Sequence, residues 1–207
     1  MKRLISADPS EILGFTPAEL KQSIQASEGR VVCAENITAL IPQITDITNA
    51  EIAAAFGADL ILLNFLDVGN PHIHGLDATE DPVRRLRELV GRPVGINLEP
   101  VDTAAAMLEE RQDVAPGRRA LRESIVRAGE LGADFLCLTG NPGSGVSNAQ
   151  IAETVRLCKE LFDGLVIAGK MHGAGVGEGV VDKQAVEEFL AAGADIILVP
   201  AVGTVPG

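Results

Sequence analysis

The sequence has few cysteines and no long apolar run. Its three cysteines, Cys33, Cys137 and Cys158, lack the close spacing of a metal site. An odd number of cysteines without a secretion signal favours reduced thiols, so we expect a cytoplasmic protein. The N-terminal segment MKRLISADPSE turns polar within a few residues, which is unlike a signal peptide. Because no apolar run reaches the roughly 18 residues that a membrane helix needs, we expect no membrane partner.

The sequence also lacks a basic stripe. Lysine and arginine total 17 against 29 acidic residues, which gives a net charge of −12. A nucleic-acid-binding protein needs clustered positive charge, so we expect no nucleic-acid partner. Hydrophobic residues make up 46% and charged residues 22% of the chain, which is typical of a soluble globular protein. The 207 residues are enough for one sizeable core, and we predict a single domain over residues 1–207.

Apolar runs of strand length alternate with helical patterns along the chain. The runs are rich in Val, Ile and Leu on both faces, which is typical of a parallel sheet covered on both sides. They occupy residues 30–36, 59–68, 92–100, 134–140, 164–172 and 195–202. The helical patterns occupy residues 16–26, 49–56, 81–90, 118–131, 148–162 and 182–192. This alternation predicts repeated βα units.

A repeated tetrapeptide marks the turns from helix to strand. FGAD, LGAD and AGAD each follow a helical pattern and precede a strand. We predict that Gly57, Gly132 and Gly193 take the left-handed conformation just after each helix. The predicted N-caps of the helices are Asn49, Asp81, Asn148 and Asp182.

The number of strands limits the choice of fold. A complete (β/α)₈ barrel has eight strands and typically about 250 residues, whereas about six strands are predicted here. The chain is then a fragment of a longer barrel, or KRLIS (2–6) supplies a seventh strand, or the sheet is open and doubly wound. No GxGxxG follows the first strand, which weakens the dinucleotide-binding form of an open sheet. We predict an α/β fold of (β/α)₈ TIM-barrel type, incomplete, with about six βα units.

Polar residues stand at the carboxyl ends of the predicted strands, where barrel enzymes hold their active sites. Side chains alternate between the two faces of a strand, so each strand's polar end residues share a face with small or apolar residues before them. These polar end residues are Glu35, Asn64, Asn97, Glu99, Thr139, Lys170 and His172. Strand ends also simply meet solvent, but the whole set favours a functional site over that alternative.

A metal site is one interpretation of this edge. The candidate ligands are Glu35, Asn64, Asp67, Glu99, His72, His74 and His172. Carboxylate and amide oxygens suit Mg²⁺ or Mn²⁺, and Zn²⁺ ranks below them. The alternative is that PHIHG (71–75) is an ordinary exposed loop.

Lys170 and His172 are predicted to be catalytic together with Glu35. A lysine at an apolar rim can attack a carbonyl to form an imine, or it can bind a phosphate or carboxylate as a plain cation. We rank anion binding higher, because acidic groups nearby keep a lysine charged. His172 is the candidate general acid or base.

Two glycine-rich loops are candidates for binding the substrate. Residues 139–150 and 172–179 can present backbone N–H groups to an anion, although the first lacks the GK[ST] of a P-loop. The alternatives are a flexible loop that ends in an N-cap and a mobile lid. The predicted substrate-binding residues are Asn36, Asn97, Thr139, Asn141, Ser144 and Gly173.

A bacterial family of uncharacterised TIM-barrel proteins resembles this chain in the segments KQSIQASEGRVVCAEN, ITNAEIAAAFGADLILLNFLDV, GKMHGAG and VPAVGTVPG. The family is labelled phosphoenolpyruvate phosphonomutase-like and sometimes haloacid-dehalogenase-like hydrolase, and the match covers essentially the whole chain. The resemblance implies a barrel that continues for roughly another two βα units. The chain has no KKCGH segment, and it has AEN where the hydrolase label needs DxD after the first strand.

Three functions are compatible with these residues. The main hypothesis is a lyase or isomerase that acts on a small anionic carbonyl or enolate substrate with the help of Mg²⁺ or Mn²⁺. The second is a metal-free, imine-forming aldolase that uses Lys170. The third is a barrel without catalytic activity that binds a phosphorylated metabolite. An incomplete barrel leaves sheet edges and helix faces bare, so we also expect a homo-oligomer.

Overall fold

A computed structural model describes residues 2–180 and 182–204 of the chain. The fold divides into two compact units. The first unit comprises the described residues up to Asn97 together with Arg127–Phe135. The second comprises Leu98–Val126 together with the described residues from Leu136 onwards. The prediction of a single domain over residues 1–207 stays a prediction.

Helices and strands alternate along the chain, as the sequence pattern predicts. In the first half the elements are α1 (Pro9–Ile12), α2 (Pro17–Ala26), β1 (Cys33–Ile37), α3 (Asn49–Ala55), β2 (Leu60–Asn64), α4 (Pro82–Val90) and β3 (Val94–Leu98). In the second half they are α5 (Arg122–Glu130), β4 (Phe135–Leu138), α6 (Asn148–Leu161), β5 (Leu165–Gly169), α7 (Lys183–Ala192) and β6 (Ile196–Leu198). Short 3₁₀ turns occupy Leu4–Ser6 and Pro116–Arg118.

The strands follow one another in the sheet in the order β1-β2-β3-β4-β5-β6. Within the first unit β1 and β2 are parallel, and so are β2 and β3. Within the second unit β5 and β6 are parallel. Parallel neighbours in sequential order are the arrangement that helical crossovers produce. The prediction of an α/β fold of TIM-barrel type with six βα units is therefore confirmed, whereas KRLIS is not a strand because Leu4–Ser6 form a 3₁₀ turn.

The register relates the faces of the first three strands to one another. Glu35 lies opposite Leu62 in β2, and Leu62 lies opposite Gly95 in β3. Paired residues in a parallel sheet share a face, so these three side chains point the same way. A side chain on Gly95 would overlap the ring of Phe135, which is buried in the first unit. Glycine at this position therefore makes room for an aromatic ring.

Helix boundaries follow local capping chemistry. The helix α3 is capped by Thr48, whose Oγ1 accepts a hydrogen bond from Glu51 N while Glu51 accepts one from Thr48 N. The helix α6 is capped by Ser147. The predicted N-caps Asn49 and Asn148 are therefore wrong by one residue, since in each case the hydroxyl-bearing residue before the asparagine makes the cap. Asp182 caps α7 as predicted, and Asp81 stands at the cap position of α4 without a side-chain cap bond.

The three predicted left-handed glycines are confirmed. Gly57, Gly132 and Gly193 have φ angles of 98°, 87° and 106°, a region in which other residues are strained. Among the residues that the structure describes, no helix has the length and apolar character that crossing a bilayer demands.

Candidate functional site

A chain of polar side chains joins the carboxyl ends of β1, β2 and β3 in the first unit. Asn64 Nδ2 donates a 2.6 Å hydrogen bond to Glu35 Oε1, and Asn97 Nδ2 donates a 3.0 Å bond to Asn64 Oδ1. Asn64 and Asn97 are buried, whereas Glu35 is exposed. The network therefore leads from solvent at Glu35 into the interior at Asn97.

Asn97 holds an unsatisfied acceptor at the inner end of this network. Its side chain is only 3% exposed, and its Oδ1 atom has no hydrogen-bond partner within the structure. A buried amide oxygen without a donor costs about 1–3 kcal/mol, so such atoms are uncommon unless a ligand or ion completes them. Asn97 Oδ1 is thus the atom in the first unit that most clearly needs a partner.

The residue that follows Asn64 has an unusual backbone. Phe65 has a φ of 62°, in the left-handed region that side chains rarely occupy, and its N–H donates a 2.8 Å bond to Asn64 Oδ1. Strained residues of this kind concentrate at functional sites. The strain places Phe65 N–H where it helps to fix the orientation of the Asn64 amide.

Other residues predicted as metal ligands have local roles in the first unit. Asp67 Oδ1 accepts a 2.9 Å bond from Gly69 N, which closes a turn after β2. His72 and His74 contact each other edge to face with ring centroids 4.7 Å apart. His74 also lines a small cleft with Asn36 and Thr38. No group of three or more His, Cys, Asp or Glu side chains suited to a metal occurs within residues 2–180 and 182–204.

Asn36 lies on the opposite face of β1 from Glu35. It is buried, and its Nδ2 donates a 3.0 Å bond to Ala34 O. Neighbouring residues of a strand point to opposite faces, so Asn36 does not take part in the Glu35 network. Its substrate-binding role stays a prediction that the strand geometry does not favour.

The second unit holds a buried ion pair after β3. Glu99 is 1% exposed, and its Oε1 accepts a 2.6 Å bond from Arg118 Nη2. Its Oε2 accepts a 2.9 Å bond from Asn141 N. Both carboxylate oxygens are therefore engaged by protein donors, and Arg118 compensates the charge. This arrangement suits a structural tie between two loops better than the predicted metal ligand.

Lys170, directly after β5, is fully buried. Its Nζ lies 2.5 Å from Glu178 Oε1 and 3.4 Å from Val146 O. Glu178 belongs to the glycine-rich loop 172–179 and also accepts a 2.5 Å bond from Asn148 N. A buried ammonium requires such a carboxylate partner, because desolvating an unpaired charge is costly.

The remaining predicted residues of the second unit have separate surroundings. Thr139 Oγ1 is buried without a hydrogen-bond partner within the structure. Ser144 Oγ donates a 2.7 Å bond to Asn141 O, which stabilises the loop after β4. His172 is half-buried, and its Nδ1 accepts a 3.1 Å bond from Ala174 N. The half-buried Gly173 lies beside it in the same loop.

Arg118, Glu178 and Phe65 are not among the residues predicted from the sequence. Arg118 is one of several arginines between β3 and α5, and only the fold pairs it with Glu99. Glu178 is the single acidic residue in HGAGVGEG, which was the available signal. Nothing in the local sequence marks the left-handed Phe65.

Polar residues at the carboxyl ends of parallel strands define an α/β protein of the TIM-barrel class with candidate binding groups in each unit. The chain belongs to the family described as "Domain of unknown function (DUF7916)", whose model matches residues 5–207. No curated protein matches the sequence.

Solved structures resemble the fold at low sequence identity. A tryptophan synthase complex from Pyrococcus furiosus aligns with a TM-score of 0.53 and 15% identity, over 92% of this chain and 65% of that one. A phosphonopyruvate hydrolase in complex with oxalate and Mg²⁺ aligns with a TM-score of 0.52 and 14% identity, over 90% and 64%. A 2,3-dimethylmalate lyase aligns with a TM-score of 0.51 and 13% identity, over 88% and 62%.

These likenesses establish the fold alone. The chain spans 62 to 65% of the length of these structures. The 2,3-dimethylmalate lyase is described as a member of the PEP mutase/isocitrate lyase superfamily, in line with the phosphonomutase-like resemblance of the sequence. The haloacid-dehalogenase-like label has no support in these findings.

Proposed function

We propose that this protein is a lyase or isomerase that uses a divalent cation and acts on a small anionic carbonyl or enolate-forming substrate. The observation that carries the proposal is the network of Glu35, Asn64 and Asn97 with its unsatisfied acceptor, Asn97 Oδ1. It lies at the carboxyl ends of three parallel strands, where proteins of this fold class carry out their chemistry.

Two structural neighbours support the choice of reaction. One is a phosphonopyruvate hydrolase with oxalate and Mg²⁺, and the other is a 2,3-dimethylmalate lyase. The tryptophan synthase complex has a different activity on a similar fold, so fold likeness alone does not select the reaction. The reaction class is therefore a proposal that the residues of this chain must support.

The oxygen atoms of the first unit fit Mg²⁺ or Mn²⁺. Glu35 offers an exposed carboxylate, and Asn97 offers a buried carbonyl oxygen that has no protein donor. Magnesium is commonly held by one or two carboxylates with water completing its shell, so this small set of oxygens is sufficient. We propose Glu35 and Asn97 as the residues that hold the cation, with Asn64 orienting both. The cation would stabilise negative charge on an enolate oxygen.

The same atoms limit the other predicted ligands. Asp67 Oδ1 and both oxygens of Glu99 already accept hydrogen bonds from protein donors. Glu99 is also paired with the Arg118 guanidinium, so a cation would have to compete with a positive charge that is already in contact with this carboxylate. Glu99 therefore fixes loops in this proposal, and Asp67 fixes the turn after β2.

Lys170 and His172 of the second unit keep the roles predicted for them. Lys170, which is buried, binds the negative charge of a substrate. Asn141 and Ser144, predicted to bind substrate, are hydrogen bonded to each other and so also shape the loop after β4. His172 transfers a proton through Nε2, since its Nδ1 accepts the N–H of Ala174. Replacement of His172 by alanine is expected to abolish turnover and leave the fold intact. Retained turnover in His172→Ala would contradict the role of this imidazole.

The first test is a thermal-shift titration with Mg²⁺, Mn²⁺ and Zn²⁺, with a chelator added at the end. A cation at 100 times its Kd should stabilise the fold by about 2.7 kcal/mol, and the chelator should reverse the rise in Tm. Glu35→Gln should abolish most of this rise because it removes the ligand charge. Glu80→Gln, an exposed acidic residue of the same unit, is the matched control and should respond like the wild type.

The variant Asn97→Asp is a second test of the same proposed metal site. It adds charge at the unsatisfied acceptor, so the metal-dependent rise in Tm should become larger than in the wild type. A flat response to all three metals in every variant would rule out the metal-dependent form.

The imine-forming alternative has one observation in its favour, since Lys170 is fully buried after an apolar strand. Borohydride treatment with a panel of carbonyl compounds would then add substrate mass to Lys170. A metal response without an adduct favours the lyase or isomerase, and an adduct without a metal response favours the aldolase. Ligand-dependent stabilisation without turnover would indicate the non-catalytic binding protein.

A further inference from the structure

The carboxylate of Glu178 lies between two positively polarised groups of the second unit. Its Oε1 is 2.5 Å from Lys170 Nζ and 2.5 Å from the backbone nitrogen of Asn148, the first residue of α6. The neighbouring Gly179 O accepts a 3.0 Å bond from Asn148 Nδ2. Lys170 is fully buried, whereas the Glu178 side chain is 32% exposed. The carboxylate thus covers a buried cation from the solvent side.

These groups have the chemistry of an oxyanion site. An ammonium group and a helix N-terminal N–H are the donors that bind phosphate and carboxylate groups in many proteins, and α6 has 14 residues. The nearby carboxylate of Asp102 is engaged elsewhere, since it accepts bonds from Ser147 Oγ and Ala104 N. The donors of Lys170 and Asn148 are therefore shared mainly with Glu178.

The glycine-rich loop is fixed at its beginning. Gly145 N donates a 2.9 Å bond to Ala174 O, and Leu108 N donates a 2.9 Å bond to Gly175 O. Met107 and Val176 form a β-bridge. The following residues, 177–179, are exposed, and the contacts with Lys170 and Asn148 hold them against the unit. Release of Glu178 therefore requires movement of only a few loop residues, with glycines on both sides of Glu178 to absorb the change.

We propose that Glu178 is an internal substitute for an anionic ligand, which displaces it from Lys170 and Asn148. A small oxyanion, either a phosphate or a carboxylate group, takes the position of the Glu178 carboxylate, and residues 177–179 swing outwards. The inference deepens the proposed function, because it rests on Lys170 as the residue that binds substrate charge. It adds that the site is closed by the chain's own carboxylate until the ligand arrives.

The test is isothermal titration of inorganic phosphate and of oxalate into the wild type and Glu178→Gln. The variant should bind at least one of these anions about tenfold more tightly if the internal carboxylate occupies the site in about 90% of wild-type molecules, since apparent affinity scales with the competent fraction. The preferred anion then distinguishes a phosphorylated from a carboxylated ligand. Glu160→Gln, an exposed residue at the other end of α6, is the matched control and should bind as the wild type does.

Two further variants distinguish an effect on anion binding from an effect on folding. Glu178→Ala leaves Lys170 without its carboxylate, so its Tm should fall and should recover when phosphate is added. The double variant Lys170→Met, Glu178→Gln has no buried charge to compensate, so it should fold and should lose the anion response.

Equal anion affinity in the wild type and Glu178→Gln would overturn the inference, as would an unchanged anion response in the double variant. These measurements record binding and need no turnover. A metal response in the first unit together with equal anion affinities would therefore reject the Glu178 inference and leave the proposed function standing.

Discussion

Gly95 is the residue at which the interior of the first unit has no space for one more carbon. A Cβ atom there would overlap the ring of Phe135, and Phe135 is itself 1% exposed. Close-packed interiors do not absorb such an overlap without shifting side chains or backbone. The position therefore needs glycine for space, since its φ lies outside the left-handed region.

Replacement of Gly95 by alanine is expected to lower the free energy of unfolding by about 1–3 kcal/mol through overpacking. Urea unfolding followed by circular dichroism measures this change. Gly14→Ala is the matched control in the same unit, because its new Cβ would lie 3.5 Å from the nearest atom, an ordinary contact. Equal changes in the two variants would show that the overlap at Gly95 is relieved at little cost.

For individual residues, the sequence predicts on which face of a strand a side chain lies, but it does not predict the hydrogen-bond partner of that side chain. Alternation predicts that Asn64 shares a face with Leu62 and that Asn97 shares a face with Gly95. The pairing of Leu62 with Gly95 then puts the two amides on one face, where they are hydrogen bonded. Alternation does not predict that Glu99 turns to Arg118 or that Lys170 turns to Glu178, because both partners come from loops. Loop conformation depends on tertiary contacts that a single sequence does not display.

The turns from helix to strand are stabilised by aspartates as well as by glycines. After each Gly-Ala pair, an aspartate carboxylate accepts a backbone N–H at the start of the preceding strand segment. Asp59 accepts from Val32 N, Asp134 from Val94 N and Asp195 from Val166 N, at distances of 2.8, 2.8 and 3.0 Å. In each case the aspartate N–H also donates to the carbonyl of the same valine. The aspartate thus pins the start of one strand to the start of the next.

Asp134 is the best position to test the contribution of these aspartates to stability, because it also pairs with Arg87 at 2.8 Å. Both side chains are less than one fifth exposed, so Asp134→Ala leaves a largely buried guanidinium and a backbone N–H without their acceptor. We expect a loss of about 3 kcal/mol in the free energy of unfolding. Chemical unfolding measures it, with the exposed Asp77→Ala as control. A loss of stability no larger than that of the Asp77→Ala control would show that water replaces the Asp134 carboxylate.

The existence of the six longer helices was predicted, whereas the short α1 and the exact starting residues were not. Periodicity places α2, α3, α4, α6 and α7 within a residue or two of their observed bounds. The caps of α3 and α6 shift because Thr48 and Ser147 compete with the adjacent asparagines for the same N–H groups. The helix α5 begins at Arg122, four residues after its predicted start, since Pro116–Arg118 form a 3₁₀ turn instead.

For the whole molecule, the order of the strands follows from the βα alternation. Successive strands joined by helical crossovers are normally neighbours, and the observed order β1 to β6 is the simplest result of that rule. The residues of the Glu35 network could therefore be placed on adjacent strands from the sequence alone. The unsatisfied Asn97 Oδ1 could not, since burial and hydrogen bonding of one atom emerge only from packing.

The homo-oligomer expected from the sequence stays a prediction, and the first unit offers a surface for it. β1 is the first strand in the sheet order, and Val32 beside it is 54% exposed. The following loop exposes Leu40, Ile41 and Ile44 by 56%, 72% and 54%. Apolar side chains next to a sheet edge favour association, so we expect a second copy of this chain to cover them.

Size-exclusion chromatography with light scattering should then give a mass above that of a monomer. Ile41→Lys should reduce this mass, because it places a charge in the apolar loop. Leu108→Lys is the matched control, since Leu108 is 79% exposed but belongs to the second unit. A wild-type mass equal to that of one chain would contradict the predicted association.

The Gly-Ala-Asp turns have a consequence for how such a chain can change through recombination. At three separate helix-to-strand turns, the aspartate of the Gly-Ala-Asp tripeptide makes the same two hydrogen bonds to the backbone of a valine. A gene segment that ended at one of these turns would encode one partner of these hydrogen bonds, either the valine or the aspartate. Exchange of βα units between related genes would therefore be tolerated best with crossover points at residues 57–59, 132–134 and 193–195.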